Sequence, residues 1–314
     1  MEHLHPNDDY LRLLHKFCPG CGNGIILHTL IRSLKSYIAA SEGVKSQEVK
    51  PESARPKKSK KSKKQKFENP LDRFIFLSGI GCSGWIVSPH LDADTFHTTH
   101  GRSIAVATGV KVANPDLMVI VISGDGDLAS IGGNHLIHAA RRNVELFCIL
   151  VNNFNFGMTG GQCGPTTFHD AITSTTPFGN FEYPFNVAEV VAAAGATYSA
   201  RWTVRHVLQL EKSFERALQR SENGFAFIEV LSPCTTQFEK RNYNTEDPEL
   251  LFDLFKTNSI NIKDRDKYTS KKLEDKFILG VFGDREVEGL TKTIGNIKSR
   301  ACAHKKHNSI GGEK

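Results

Sequence analysis

Residues 117–153, LMVIVISGDGDLASIGGNHLIHAARRNVELFCILVNN, hold the pattern that sets the fold of this chain. Leu117 to Ile122 is an unbroken apolar run of strand length, the signature of a parallel strand buried on both faces. Glu145 to Val151 repeats it. Between them Gly132 to Asn143 reads as a crossover helix with Leu136, Ile137, Ala139 and Ala140 toward the sheet, so the unit is strand, helix, parallel strand. Ligands of such sheets bind at the carboxyl ends of the strands. There the sequence sets Gly124-Asp125-Gly126 after the first strand and Asn152-Asn153 after the second. One carboxylate, one amide oxygen and a nearby carbonyl are enough protein ligands for a magnesium ion whose other ligands are phosphate oxygens and water. A lone Gly-Asp-Gly is ordinarily a turn; with the second strand and its asparagine pair it points to a bound magnesium diphosphate.

Outward from this unit, Leu27, Leu30, Ile31, Leu34 and Ile38 recur at helical spacing between Asn23 and Ala40, with Asn23 as the cap. Phe74 to Leu77 and Phe225 to Leu231 read as buried strands, and Ile104 to Val112, Phe185 to Ala196 and Val204 to Arg220 as helices. Alternation of strands and helices means an α/β fold, a doubly wound, mostly parallel sheet. Residues 1–242 are expected to carry the site. Residues 243–314 turn polar and read as a partly irregular extension whose lysine-rich end, from Lys298, should fray.

Charge is distributed unevenly. The chain of 314 residues has a net charge of +6, yet Arg55 to Lys66 carries eight basic residues and no acidic ones, so the remainder sums to −2. That run lies in a low-complexity insertion at about 41–69, expected to be mobile. A solvated loop is the plainer reading and a docking patch for an acidic partner protein, or for nucleic acid, the sharper one. It lacks aromatic residues to stack on bases, which argues against nucleic acid. Seven cysteines without a leader sequence point to a reducing cytoplasm, and no apolar run is long enough for a bilayer.

Cys18-Pro-Gly-Cys21 has the spacing of zinc knuckles, redox disulfides and iron-sulfur sites alike. The helix after Cys21 should run antiparallel to the strand at Phe74, which puts its start at the carboxyl edge of the sheet. Cys82 and Cys234 each follow a strand, at Leu77 and Leu231, so all four thiols can reach the edge that carries Asp125. A 4Fe-4S cluster suits them, and a structural zinc or a bare turn is the alternative. Cys148 reads as core, Cys302 as tail, and Cys163 as loop-borne without an assigned role.

Gly79-Ile-Gly-Cys-Ser-Gly84, His97-Thr-Thr-His-Gly-Arg102, Gly124-Asp-Gly-Asp127, Gly157-Met-Thr-Gly-Gly-Gln162 and the Cys18 and Cys234 turns together resemble the beta subunit of 2-oxoacid:ferredoxin oxidoreductases, from about Cys18 to about Asn242. The resemblance implies a thiamine diphosphate-binding fold and oxidative decarboxylation of a 2-oxoacid with coenzyme A. 2-Oxoglutarate is favoured over pyruvate or branched-chain oxoacids, and electrons pass through a 4Fe-4S cluster to ferredoxin. It implies Mg2+ ligands Asp125, Asn153 and the Asn155 carbonyl, with Gly81, Cys82, Ser83, Gly124, Gly126, Asp127, Gly157, Met158 and Thr159 around the cofactor. Cluster ligands would be Cys18, Cys21, Cys82 and Cys234, and the groups nearest substrate His100 and Arg102. His97 and His135 are expected to be ordinary hydrogen-bonded loop residues.

Two departures stand out: Phe156 occupies a position where many relatives have tyrosine, and Trp85 one where some 2-oxoglutarate enzymes have a basic residue. Thiamine enzymes need a second domain for the aminopyrimidine, so an obligate alpha subunit is expected. Against this stand a non-redox thiamine decarboxylase, which needs no cysteine set, and a metal-stapled nucleic-acid binder, which leaves Asp125 and Asn153 unexplained.

Overall fold

A computed structural model of the chain describes residues 10–11, 15–42, 70–273 and 276–310. Nearly all of the basic insertion lies outside these residues. The order is α1 (Asn23–Glu42), β1 (Phe74–Ser78), β2 (Asp94–His97), α2 (Ser103–Ala113), β3 (Met118–Gly124), α3 (Gly133–Arg142) and β4 (Leu146–Asn152). It continues through α4 (Val187–Ala194), β5 (Tyr198–Thr203), α5 (Val207–Ser221), β6 (Phe225–Leu231), α6 (Phe238–Asn242) and α7 (Pro248–Thr257). The chain ends with β7 (Ser259–Asn261), α8 (Ser270–Leu273), β8 (Phe277–Asp284) and α9 (Leu290–Ile310).

The strands form one sheet in the order β2-β1-β3-β4-β6-β5-β8-β7, parallel except where β8 meets β5. The period of two explains how it is covered. On β3, Met118, Ile120 and Ile122 face a core that takes in α1 and α5, while Val119 and Val121 face a second core that takes in α2, α3 and α4. Phe147 and Cys148 on β4 divide in the same way, which places Cys148 in the core as its strand position demands. Each fully buried Leu, Ile or Phe in these layers contributes about 1.5–3 kcal/mol of transfer free energy.

Several details depart from the pattern of the sequence. Leu136, Ala139 and Ala140 are buried, but Ile137 is 42% exposed, because it lies about 100° around the helix from Leu136. The cap of α1 is Gly22, whose carbonyl accepts from the Ile26 N–H (3.1 Å), and Asn23 is the first helical residue. Two strands, β2 and β5, carry too much polarity to stand out as apolar runs. Beyond Asn242 the chain is more regular than its composition suggests, since β8 extends the main sheet, and the end beyond Lys298 is helical through Ile310.

A buried carboxylate anchors that last helix. Glu145, 3% exposed, accepts from the Thr291 N–H (3.0 Å), the Thr291 hydroxyl (2.7 Å) and the Lys292 N–H (3.4 Å) at the amino end of α9. A negative charge there meets both unpaired donors and the positive end of the helix dipole. Glu145→Ala is expected to cost about 2 kcal/mol, seen as a lower urea midpoint at unchanged slope; an unchanged midpoint would show that α9 is held by other contacts. No helix among the described residues is long and apolar enough to cross a membrane.

Candidate functional site

Four neighbouring parallel strands, β1, β3, β4 and β6, end on one edge and deliver in turn Gly79 to Ser83, Asp125, Asn153 and Cys234. Asp125 opens a π-helical turn, Gly126–Ile131, closed by the Gly132 N–H on the Asp127 carbonyl (2.9 Å). Such widened turns concentrate at functional sites. Gly126 has to be glycine, since a Cβ there would stand 2.3 Å from the Phe156 ring. The ring that replaces tyrosine therefore acts by packing on backbone, and no hydroxyl is needed for it.

One cavity is lined by Gly81, Cys82, Ser83, His100, Gly124, Asp125, Gly126, Asp127, Asn153, Asn155, Phe156, Gly157, Met158 and Thr159. Every residue that the sequence assigned to the cofactor is among them. At its floor Asp125 is 2% exposed, and burial pushes its carboxyl up to about 7. The inward atom of the Asn153 amide stands 2.7 Å from the Asn155 carbonyl oxygen and 3.2 Å from Asp125 Oδ1. Turned one way, the amide donates to both. Turned the other, three oxygens face one another, an arrangement that a cation would satisfy. Octahedral magnesium at its usual ligand distance sets neighbouring oxygens about 2.9 Å apart, so the donor set fits that ion and its charge would favour ionised Asp125.

The other predicted residues divide. Asp127 is buried and its carboxylate is fully engaged by protein: Oδ1 accepts from the N–H groups of Ile80 (3.1 Å) and Gly101 (2.8 Å), and Oδ2 from the Ser123 hydroxyl (2.9 Å). It fixes the two loops that frame the cavity. His100 stands on the cavity wall with Nδ1 3.1 Å from the same carboxylate, without the geometry of a hydrogen bond to it. Arg102 is not on that wall. It is exposed at the start of α2, with Nη1 2.6 Å from His135 Nε2, and burial followed by the Arg102 charge holds His135 below the usual imidazole range. His135 thus belongs to α3, and His97, 2.8 Å from the Ser78 hydroxyl, to an edge strand, so neither is loop-borne.

Cys18, Cys21, Cys82 and Cys234 line a second cavity of about 360 Å³, many times the about 30 Å³ share of a single water. Cys82, Asn153, Gly157 and Met158 belong to both cavities. Burial, and then the proximity of other thiols, push Cys82 up to about 11; burial is also the main cause that takes Cys21 up to about 12 and raises Cys234. These thiols stay protonated at neutral pH unless a metal displaces the proton. Among the described residues no three of His, Cys, Asp and Glu meet closely enough for one metal ion. A four-iron cluster gives each thiolate its own iron, so this wider spacing suits a cluster better than a tetrahedral zinc. Trp85, 43% exposed, lines the same cavity, and Cys163 lies on neither wall.

Sequence reasoning missed Thr166 and Glu239. Thr166, 2% exposed, sets its hydroxyl 2.5 Å from Asp125 Oδ2 and 2.9 Å from Asn152 Oδ1. Asn152 in turn donates to Glu229 (2.8 Å), which pairs with Arg201 (2.8 Å), so a buried polar chain runs under Asp125. Glu239 accepts from the Cys234 N–H (2.6 Å), and burial pushes its carboxyl up to about 7. Neither lies in a motif; a threonine in a long loop carries no signal of what it will face.

Comparison with known proteins agrees with this arrangement. Residues 79–230 match the model of the thiamine pyrophosphate enzyme C-terminal TPP binding domain. A 2-oxoglutarate synthase subunit KorB of Methanocaldococcus jannaschii is 40% identical over 94% of this chain and all of its own length. A 2-oxoacid:ferredoxin oxidoreductase subunit beta of Sulfolobus is 33% identical over 86% of this chain and 82% of its own. A chain in the structure of 2-oxoglutarate:ferredoxin oxidoreductase from Magnetococcus marinus, with 2-oxoglutarate, coenzyme A and succinyl-CoA bound, superposes with a TM-score of 0.72 at 28% identity, covering 99% of this chain and 97% of that one.

Proposed function

The chain belongs to the family of 2-oxoacid:ferredoxin oxidoreductase beta subunits, and on that premise we propose that it carries the thiamine diphosphate and 4Fe-4S centre of an enzyme that converts 2-oxoglutarate and coenzyme A to succinyl-CoA and CO2, the two electrons released passing to ferredoxin. The observation that carries this reading is the shared wall: Cys82, Asn153, Gly157 and Met158 line both the cavity around Asp125 and the four-thiol cavity. Family members named for 2-oxoglutarate at about 40% identity favour that substrate over pyruvate or branched-chain oxoacids.

When bound, thiamine diphosphate supplies the electron sink that decarboxylation of a 2-oxoacid requires, and the cluster takes electrons away singly. Asp125, Asn153 and the Asn155 carbonyl would hold Mg2+, and Gly124, Gly126, Gly157 and Thr159 line the cavity that would take the diphosphate. His100 is the imidazole on the wall, beside the Asp127 carboxylate, and the Phe156 ring packs against Gly126 at the floor. Arg102 can meet the substrate only if it leaves His135, which makes it a rim residue. The partner that completes the site is the alpha subunit, and the cellular setting is cytoplasmic.

The test is anaerobic turnover of the complex with its alpha chain. 2-Oxoglutarate with coenzyme A should reduce ferredoxin at least about tenfold faster than pyruvate does, a difference of about 1.4 kcal/mol, and the chain should contain iron and sulfide. Turnover on pyruvate alone would move the substrate assignment; absence of iron would remove the redox reading. A smaller change probes the polar chain below the metal. Thr166→Val keeps the shape and removes the hydroxyl, and it should weaken Mg2+ dependence of cofactor binding by about 10–100-fold, measured by fluorescence titration at fixed thiamine diphosphate. Unaltered Mg2+ affinity would show that Asp125 is positioned without Thr166.

A further inference from the structure

Phe178, Phe181, Tyr183 and Phe185 lie within eight residues of one loop and are 102%, 79%, 85% and 58% exposed. Single exposed apolar side chains are ordinary, but a cluster of rings on water marks a surface that is covered in use. The loop is rigid. Asn180, 2% exposed, donates to the carbonyls of Thr167 (3.0 Å), Phe168 (3.1 Å) and Glu182 (3.0 Å), and the backbone pairs Asp170 with Asn180 (2.7 Å) and Asn180 with Ala171 (2.9 Å). Its tip is tied back to the segment beside the cofactor rim by the Ser174 N–H on the Gly161 carbonyl (2.9 Å) and the Cys163 N–H on the Thr175 hydroxyl (2.9 Å). Side chains presented on fixed backbone lose little freedom on docking, which favours association.

The position of the loop says what covers it. The Phe156 ring walls the diphosphate cavity on one side and, on the other, an opening shared with Gly164, Asn180 and Phe181. A partner seated over Phe181 would therefore stand beside the Phe156 ring that walls the cofactor rim. We propose that the aromatic loop, residues 172–185, is the docking face for the alpha subunit that completes the thiamine site, an inference that rests on the functional reading above. The four rings offer roughly 500–700 Å², most of the about 800 Å² that one side of a standard stable interface buries. A second copy of this chain would bring another diphosphate rim to that place, whereas the half of the site this chain lacks is the one that holds the aminopyrimidine.

The experiment compares the double variant Phe178→Glu with Phe181→Glu against wild type, each co-expressed anaerobically with the tagged alpha chain, and against Ile297→Glu, which charges an exposed apolar residue on α9 (58% exposed). The loop variant should keep its iron content and circular dichroism while its affinity for the alpha chain falls at least about 100-fold, and Ile297→Glu should bind as wild type does. Wild-type affinity in the loop variant, or equal losses in both variants, overturns the proposal. A wild-type chain that self-associates through the loop while the variant still binds alpha overturns it in favour of a contact between copies. If the loop variant does not fold, hydrogen exchange on the wild-type chain decides: amides 172–185 should gain protection in the complex, and unchanged exchange there refutes the docking face. Failure of the functional reading looks different, since a complex that forms through the loop but turns over no oxoacid would leave the surface assignment standing.

Discussion

Cys82→Ser is expected to lower 2-oxoglutarate-dependent ferredoxin reduction by at least about 1000-fold, or about 4 kcal/mol, with loss of the visible absorption of an iron-sulfur chromophore. Cys82 is the one of the four thiols that lines both cavities, so its loss acts on the cluster and on the rim at once. A serine hydroxyl at that place is a harder and less acidic ligand than a thiol. The structural cost is small, because Cys82 is only half-buried on a short 3-10 turn and belongs to none of the apolar core clusters. Thiamine diphosphate should still bind to the variant complex, since the proposed magnesium ligands follow β3 and β4. That separates the two roles of the edge: a variant that retains cofactor and loses iron supports the assignment, and one that keeps its full iron content and activity refutes it.

Asp125→Asn is expected to reduce activity about 1000-fold at ordinary Mg2+ and to weaken Mg2+-dependent thiamine diphosphate binding by more than the 10–100-fold typical of an outer-shell change. The amide keeps the shape and an oxygen but removes the charge that faces the ion. Opposite behaviour is expected for the protein without cofactor. There the carboxyl is buried with no cation at hand, and burial pushes it up to about 7, so ionised Asp125 opposes folding at neutral pH. The folded-state value lies above the unfolded one, so the group favours folding below the carboxylate range and loses that contribution as pH rises through about 7. A neutral amide in place of the carboxylate relieves the cost, and the cofactor-free variant should gain about 1 kcal/mol at pH 8, read from urea unfolding. Loss of stability together with activity would mean that Asp125 holds the fold, and unchanged cofactor affinity would mean that it does not meet the metal.

The sequence made the site more legible than the fold around it. Strands β3, β4 and β6 announced themselves because parallel strands buried on both faces are largely apolar, and each delivers its site residue two or three positions after its last apolar one. With Cys82 after β1, that is why Asp125, Asn153, Cys82 and Cys234 could be set on one edge from their places behind the strands. β5 was hidden for the converse reason: Tyr198-Ser-Ala-Arg201 buries a hydroxyl and a guanidinium that are tolerable only because Ser199 donates to the Ala188 carbonyl (2.7 Å) and Arg201 pairs with Glu229 (2.8 Å), partners distant in the chain. β8 was hidden by its place in a polar stretch, and its pairing with β5 is antiparallel, outside the repeating unit. Asp127 and Arg102 show the limit of motif reading. Both lie beside residues of the rim, yet one is turned inward to backbone amides and the other outward to His135.

Gly157 gives the edge a property that neither cavity has alone. A methyl carbon at this position would lie 3.3 Å from both the Asn153 amide nitrogen and Cys234 Sγ. The residue is therefore a shared partition, a length of backbone without a side chain that lines both cavities. A larger residue at 157 would press on the Asn153 amide and the Cys234 thiol together, so one substitution there should disturb both halves of the edge at once.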